Sequence, residues 1–308
     1  MREKIIIDTD PGQDDAVAIF LALAAGDRLE TLGVCAVAGN VPVVQTTENA
    51  LRIMDVAGRR APVYKGAERP LIYALETAEF VCGLDGMDGA GLPGAVSAPE
   101  TEHAVDFLIR TLRGSDDGSV TLCPLGPLTN IALAMRLAPD IKPKVKRIVL
   151  MGGAMNLGNI TPAAEFNFYV DPHAAAVVFD AGVPIVMFGL NVTLRAICSH
   201  EQIARFAAAG TATGRAISGM LARPRSSSLG SVGHPIHDMC VIAYLLWPEL
   251  FGGRDCFVQI EMGDGSLRGR STVDWNNRLK KPANALVIDT IDAESLLNRV
   301  IETTSSLS

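Results

Sequence analysis

The sequence lacks the features that mark membrane and nucleic-acid-binding proteins. Its apolar runs, such as VAIFLALAAG, are interrupted well before the roughly 20 residues that span a bilayer. Lysine and arginine form no basic stripe, and the formal net charge is −7. We therefore expect neither a membrane nor a nucleic acid as a partner.

Cysteine is scarce as well, and it never occurs in a Cys-x-x-Cys pair. The six cysteines stand singly, most of them in apolar stretches such as GVCAVAG and VTLCPLG. Isolated cysteines in such surroundings are typical of reduced core residues, so neither a disulfide framework nor a cysteine-ligated zinc site is indicated. We expect a cytoplasmic protein.

The patterns that are present predict an α/β protein. Short β-branched runs alternate with helical patterns through the first two thirds of the 308 residues, which predicts parallel strands joined by helical crossovers. We expect an open, mostly parallel central sheet with helices on both faces. Two later runs, 255–262 and 267–274, are joined by GDGS and predict an antiparallel hairpin. Without a repeat or a long linker, residues 1–308 are expected to form a single domain.

The individual elements follow from the same periodicities. The predicted strands lie at 4–8, 30–38, 62–65, 119–123, 147–151, 184–189 and 285–289, and the predicted helices at 14–25, 43–58, 102–113, 127–137, 172–181 and 292–303.

Four aspartates follow the first predicted strand, within the segment KIIIDTDPGQDDA. They are Asp8, Asp10, Asp14 and Asp15. Capping of the next helix accounts for one or two of them, but four carboxylates beside a core are costly unless a cation balances their charge. Because ligands of open parallel sheets lie beyond the carboxyl ends of the strands, we expect an oxygen-ligated site for Ca²⁺ or Mg²⁺ here.

A second source of oxygen ligands is the segment HPIHD at 234–238. It places His237 directly before Asp238 at the start of an apolar helical run. Taken alone, the simpler interpretation is an aspartate that caps this helix. Together with the N-terminal aspartates, Asp238 becomes a candidate ligand for the same cation.

Two further segments follow predicted strands with polar groups. A Pro-Leu-Gly turn at 124–126 leaves a backbone carbonyl near the same edge of the sheet. The segment 151–172 carries Asn159, Glu165 and Asn167. Such amides and carboxylates suit a polyhydroxylated ligand, although a loop can also use them to satisfy its own backbone.

Taken in order, these segments resemble the inosine-uridine-preferring nucleoside hydrolase family. The resemblance lies in DTDPGQDDA at 8–16, AGN at 38–40, PLGPLTNIA at 124–132, LMGG at 150–153, GNITPAAEFNFYVDP at 158–172, HDMCVIAY at 237–244 and STVDW at 271–275. It implies the hydrolysis of inosine- and uridine-type ribonucleosides to free base and ribose, with one bound Ca²⁺. It also implies a homodimer or a homotetramer.

The resemblance implies roles for individual residues. Asp10, Asp15 and Asp238 would ligate the ion through carboxylates, and Leu125 would do so through its backbone carbonyl. Asp10 would also be the general base towards water, and His237 is the candidate that protonates the departing base. The implied substrate contacts, with Asn159 and Glu165 at the ribose 5′-hydroxyl, are Asp14, Asn40, Met151, Asn159, Glu165, Phe166, Asn167, His237 and Asp238.

Two segments depart from the family pattern, and both concern the base. Cys82 stands where many members carry a histidine, and we interpret it as a pocket-lining residue. Between Ala204 and Ile236 the chain has no tyrosine, whereas members that prefer pyrimidine ribosides often carry tyrosines there. Arg223 and Arg225 of this segment are interpreted as solvated surface, and the alternative is contact with a polar or anionic leaving group. The preferred nucleobase therefore stays open.

Two other functions agree with parts of the pattern. IIIDTD at a strand end is similar to the nucleophile motif of Mg²⁺-dependent phosphohydrolases of the haloacid dehalogenase type, but Gly12 stands where that motif has Thr or Val. A non-catalytic Ca²⁺-dependent riboside-binding protein would use the same residues without turnover. The presence of both Asp10 and His237 favours the hydrolase.

Overall fold

The structure is a computed structural model that describes residues 2–222 and 233–307. Within these residues the strands are β1 Glu3–Thr9, β2 Leu29–Ala36, β3 Val63–Lys65, β4 Val120–Pro124, β5 Val145–Met151, β6 Ile185–Phe188, β7 Ile197–Cys198, β8 His234–Pro235, β9 Phe251–Cys256, β10 Val258–Ile260, β11 Ser271–Val273 and β12 Ala285–Ile291. The α-helices are α1 Gln13–Ala24, α2 Val43–Ala57, α3 Glu79–Cys82, α4 Ala104–Arg113, α5 Thr129–Leu137, α6 Phe166–Val170, α7 Pro172–Phe179, α8 Leu190–Thr193, α9 His200–Ala208, α10 Ala212–Leu221, α11 Met239–Leu246 and α12 Ala293–Thr304. Short 3-10 helices occupy Pro139–Lys144 and Pro248–Leu250.

The main sheet has the strand order β3-β2-β1-β4-β5-β6-β12-β9 in the described part of the chain. All neighbouring pairs are parallel except β12 and β9. From β1 the chain builds outward to β3 on one side, and from β4 it builds outward to β6 on the other. The order therefore reverses between β1 and β4, which is where open sheets of this kind bind ligands. The predicted mostly parallel α/β fold is confirmed.

Helices cover both faces of this sheet, as predicted. The apolar side chains of the central strand β1 point to both faces and therefore require a core on each. Ile5 and Ile7 of β1 pack in one core cluster with α1, α2 and α9 to α12. Ile6 packs in the other cluster with α4, α5 and α7. All three isoleucines are fully buried, as in a parallel strand that has a core on each side.

The hairpin near the C-terminus is confirmed, but its first strand was predicted too long. Cys256, within the predicted run 255–262, ends β9, which pairs antiparallel with β12 in the main sheet. Only β10 pairs with β11. The division occurs at Asn284, whose side chain accepts a hydrogen bond from the Val258 N–H at 2.8 Å and donates to the Val258 carbonyl at 2.9 Å. These side-chain bonds replace the backbone pairing between β9 and β12, so the chain after Cys256 leaves the main sheet.

Among the longer helices, α9 and α10 lie where the sequence analysis predicts none. Their segment is rich in alanine, glycine and threonine. The starts of both helices are nevertheless set by side-chain caps. Ser199 Oγ accepts a hydrogen bond from the Gln202 N–H at 3.2 Å, and Thr211 Oγ1 accepts one from the Gly214 N–H at 3.0 Å.

The C-terminal strands β9 and β12 share one sheet with the N-terminal strand β1. Because elements from both ends of the chain build the same core, we propose that residues 1–308 form a single domain. Among the described helices, none combines the length and the apolar character of a membrane span.

Asn130 of α5 is fully buried and joins three segments at the carboxyl edge of the main sheet. Its Nδ2 donates to Asp8 Oδ2 at 2.8 Å and to the Ala36 carbonyl at 3.2 Å. Its Oδ1 accepts from the Ala67 N–H at 2.8 Å. The amide thus ties the carboxyl ends of β1 and β2 to the loop that follows β3.

Replacing Asn130 by alanine should lower the free energy of unfolding, because buried groups of Asp8 and Ala67 would lose their partner. We expect a loss of about 1–3 kcal/mol, measured by urea unfolding. The control is Arg136→Ala, at an exposed position of the same helix, which should stay within about 0.5 kcal/mol of the wild type. Equal effects of the two substitutions would contradict this role of Asn130.

Candidate active site

The carboxyl ends of β1, β4 and β5 open into a cavity of about 330 Å³. This cavity brings together segments that are far apart in the sequence. Of the twelve residues predicted for the site, all except Asp15 line it. Those that do so are Asp10, Asp14, Asn40, Leu125, Met151, Asn159, Glu165, Phe166, Asn167, His237 and Asp238. Their individual roles stay predictions.

Asp15 lies directly behind the cavity, at the N-terminus of α1. Its carboxylate accepts hydrogen bonds from the Thr9 hydroxyl at 2.5 Å and from the Gly12 N–H at 3.0 Å. Asp14, Asp15 and Asp238 each offer a carboxylate oxygen, and the three oxygens lie within 4.8 Å of one another. This group can hold a metal ion. It shares Asp15 and Asp238 with the predicted carboxylate ligands, but its third member is Asp14, whereas the predicted third ligand is Asp10.

Asp10 is held between two loops. Its Oδ2 accepts a hydrogen bond from the Asn40 N–H at 2.7 Å, and its carbonyl accepts one from Asn40 Nδ2 at 3.0 Å. A side chain at Gly39 or at Gly126 would overlap this carboxylate, so both positions require glycine. Neither glycine is among the predicted site residues, although both lie in segments that carry the family resemblance, AGN and PLG.

The aspartates form a buried concentration of negative charge. Burial, reinforced by the charge of Asp15, raises the pKa of Asp10 well above its usual value. Burial and the charge of Asp14 raise the pKa of Asp15 to about 6. Burial also raises the pKa of Asp238, and the charge of Asp15 raises it further. A cation among these groups would offset the cost of keeping them ionised.

The opposite wall of the cavity is built around the start of α6. The Glu165 carboxylate accepts hydrogen bonds from the Gly153 and Asn167 N–H groups at 2.8 and 2.9 Å, and burial raises its pKa to about 7. Asn167 Nδ2 donates to the carbonyls of Leu125 at 2.7 Å and Met151 at 3.1 Å. The Leu125 carbonyl, a predicted metal ligand, therefore accepts a hydrogen bond from Asn167 in this structure.

Asn159 stands in the loop before α6 and supports that wall from outside the helix. Its Oδ1 accepts a hydrogen bond from the Phe166 N–H at 2.9 Å. Asn159 and Phe166 both line the cavity, so this bond fixes two predicted substrate contacts relative to each other.

The remaining lining is apolar and was largely missed by sequence reasoning. The most prominent side chain is Phe80 of α3, which is 74% exposed. The signal that could have identified it is a pair of large apolar residues directly before a glycine-rich loop. The apolar residues absent from the prediction are Ala78, Phe80, Val81, Ile160, Leu194 and Pro235. The Cys82 side chain, Arg223 and Arg225 lie outside the described residues, so their interpretations stay untested.

His237 is buried at the start of α11, next to Asp238. Its ring Nδ1 lies 2.8 Å from the hydroxyl oxygen of Thr193. Its backbone N–H donates to Asp14 Oδ2 at 3.4 Å. Thr193 ends α8, and no local pattern in the sequence connects it with His237.

A parallel sheet with a carboxylate-lined cavity at its switch point defines an α/β enzyme with a small-molecule site. The sequence profile described as inosine-uridine preferring nucleoside hydrolase matches residues 5–298. The chain belongs to this family, and it is accordingly a hydrolase of N-glycosyl bonds.

Individual relatives agree with this assignment. The chain is 46% identical to an uncharacterised protein of Schizosaccharomyces pombe over 97% of this chain and 98% of that one. It is 40% identical to the pyrimidine-specific ribonucleoside hydrolase RihB of Escherichia coli K12, over 95% of this chain and 94% of that one. A solved purine-preferring ribonucleoside hydrolase from Gardnerella vaginalis superimposes with a TM-score of 0.91 at 30% identity, over 99% of both chains. These matches support neither the phosphohydrolase nor the non-catalytic alternative.

The charge of the site should make stability depend on pH and on a divalent ion. Folding raises the pKa of Asp15 from 3.8 to about 6 and also raises that of Asp238, so the metal-free folded chain binds more protons than the unfolded chain. The stability that these groups contribute is present below pH 3.8 and is lost as the pH rises through about 6. A divalent ion that replaces the protons should raise the unfolding temperature more at about pH 8 than at about pH 5.

This expectation is checked by thermal unfolding with chelator and with excess Ca²⁺ or Mg²⁺ at both pH values. The control is Asp238→Asn, which removes one carboxylate of the cluster and should reduce the difference between the two pH values. An equal rise of the unfolding temperature at both pH values would contradict a metal site at these aspartates.

Proposed function

We propose that this chain hydrolyses the N-glycosidic bond of ribonucleosides such as inosine and uridine, giving free base and ribose in a Ca²⁺-dependent reaction. The observation that carries the proposal is the convergence of Asp10, Asp14 and Asp238, from segments far apart in the sequence, at one cavity with polar and apolar walls, with Asp15 directly behind it. The relatives described as pyrimidine-specific and purine-preferring support ribosides as substrates. They differ in the base, so the proposal extends to both kinds.

The donor set fits a hard divalent cation. Asp15 and Asp238 belong both to the predicted ligands and to the observed cluster. We propose that Asp10 and the Leu125 carbonyl, which line the same cavity, complete the set with them. All these donors are oxygens, and Ca²⁺ accepts about six to eight oxygens in flexible geometry. When bound, the ion supplies positive charge that orients solvent and makes it more acidic.

Asp10 is proposed as the general base. Its carboxylate is buried and is positioned by the Asn40 N–H. It lies close to the carboxylates of Asp14, Asp15 and Asp238, and as an ionised carboxylate it can accept a proton from the attacking water. The same crowding of carboxylates would favour the positive charge that develops on the ribose as the glycosidic bond breaks.

Other residues are proposed to bind and orient the nucleoside. Glu165 and Asn159 would hold the ribose 5′-hydroxyl, and both line the wall around the start of α6. The apolar wall near Phe80 would then face the base. His237, beside that wall, would donate a proton to the departing base.

The proposal includes a cytoplasmic location and a homodimer or homotetramer. The described cysteine side chains are all free and buried, which agrees with a reducing compartment. They are Cys35, Cys123, Cys198, Cys240 and Cys256. Sedimentation of the purified chain tests the assembly.

The proposed activity is tested by measuring reducing sugar released from a panel of purine, pyrimidine and nicotinamide ribosides. We expect turnover of uridine and inosine that chelator abolishes and Ca²⁺ restores, with Mg²⁺ restoring less because it prefers rigid octahedral coordination. Binding without turnover across the whole panel would identify a riboside-binding protein. Hydrolysis of an aryl phosphate alone would identify a phosphohydrolase.

Substitutions in the cluster should separate chemistry from metal binding. Asp10→Asn should lower kcat by at least about 100-fold, because the amide does not accept the proton. Asp238→Asn should lower kcat and also reduce the rise in unfolding temperature on adding Ca²⁺. The control Asp116→Asn, at an exposed aspartate outside the site, should leave both unchanged. Full activity of Asp10→Asn would refute its role as the base.

A further inference from the structure

We infer that Thr193 is a positioning residue for the leaving-group step, because its hydroxyl fixes the orientation of the His237 ring. The distance of 2.8 Å between Thr193 Oγ1 and His237 Nδ1 is that of a well-formed hydrogen bond. Thr193 is fully buried, and His237 is 9% exposed at the cavity. The inference rests on the proposed function, since it concerns the group that would protonate the departing base.

The fold brings these two residues together through strand pairing. The segment after α8 runs antiparallel to the segment before α11, with Ile197 opposite Pro235 in β7 and β8. The pairing continues towards the cavity, where the Ile236 N–H donates to the Ala196 carbonyl at 3.0 Å. Thr193 and His237 lie just beyond this ladder. Their contact is therefore set by backbone pairing and does not depend on side-chain packing alone.

A threonine hydroxyl suits both states of an acid at this position. Towards a protonated ring it accepts from the Nδ1 N–H, so Nε2 carries the proton that is transferred. Towards the neutral ring that remains it still accepts from the Nδ1 N–H. The two ring nitrogens point in roughly opposite directions, so binding Nδ1 at Thr193 directs the Nε2 edge away from α8. The hydroxyl thus holds the ring in one orientation before and after the proton transfer.

The proton is transferred as the glycosidic bond is cleaved. As the bond between the ribose carbon and the base nitrogen breaks, its electron pair stays with the base. The base then takes the proton from Nε2 of the protonated ring. The ribose carbon bonds to the oxygen of the attacking water, and Asp10 takes the proton that this water loses. A poor leaving group such as uracil needs this proton, whereas nitrophenolate departs without it. An effect of Thr193 on the acid should therefore depend on the leaving group.

The test compares Thr193→Val with the wild type on uridine and on nitrophenyl riboside, using the full chain supplied with Ca²⁺. Valine preserves the shape and removes the hydrogen bond. We expect kcat on uridine to fall by about 10-fold to 100-fold and kcat on nitrophenyl riboside to change by less than about 3-fold. KM should stay close to the wild-type value on both. Thr193→Ser, which retains the hydroxyl, should keep most of the uridine activity.

A matched control is available in Thr213 of α10. This threonine is also fully buried, and among the described residues its hydroxyl has no hydrogen-bond partner. Thr213→Val should therefore leave kcat on both substrates within about 2-fold, because it deletes no bond. His237→Ala, measured in parallel, should show the same dependence on the leaving group as Thr193→Val.

A second measurement does not depend on turnover. Nitrogen NMR of the chain with labelled histidine should show a hydrogen-bonded His237 Nδ1, and its signals are assigned by their loss in His237→Gln. In Thr193→Val the Nδ1 signal should shift and broaden, because the ring loses this bond and samples further orientations. An unchanged Nδ1 signal in that variant, or equal losses of kcat on both substrates, would overturn the inference. A wild type that hydrolyses no riboside would instead refute the proposed function, while the ring signals still decide the role of Thr193.

Discussion

Mutual repulsion of buried carboxylates at the carboxyl end of β1 is the constraint around which the rest of the site is arranged. Asp10, Asp14, Asp15 and Asp238 lie where solvent screens them poorly. Part of the cost is offset by hydrogen bonds from the protein, including those that Thr9 donates to Asp15 and Asn40 donates to Asp10. A divalent cation would offset the remaining cost, and a fold that keeps these groups together can hold one.

The sheet topology makes that arrangement possible. Strand order reverses between β1 and β4, so the loops that follow them diverge and leave a crevice. The loops after β2 and β4 approach the Asp10 carboxylate so closely that Gly39 and Gly126 exclude side chains. Next to them, Asn167 joins the carbonyls at the ends of β4 and β5. The rigid parallel sheet therefore determines the positions of the acidic and amide groups.

The two walls of the cavity divide the proposed chemistry between them. The polar wall, with Glu165 and Asn167 at the start of α6, suits a sugar. The apolar wall, with Phe80, suits a base. His237 stands between the two and is linked to Thr193 behind the cavity. Because an apolar surface discriminates weakly between flat rings, relatives with this fold can differ in their preferred base while keeping the same sugar site.

The sequence by itself determined the α/β class, most element positions and eleven of the residues that line the cavity, because periodicity, caps and motif segments are local properties. Tertiary structure decided which of these residues meet. It placed Asp14 with Asp15 and Asp238, added β9 to the main sheet, and set Thr193 against His237. Such contacts depend on how crossovers and strand pairs bring distant segments together, and neither spacing nor composition along the chain encodes those distances.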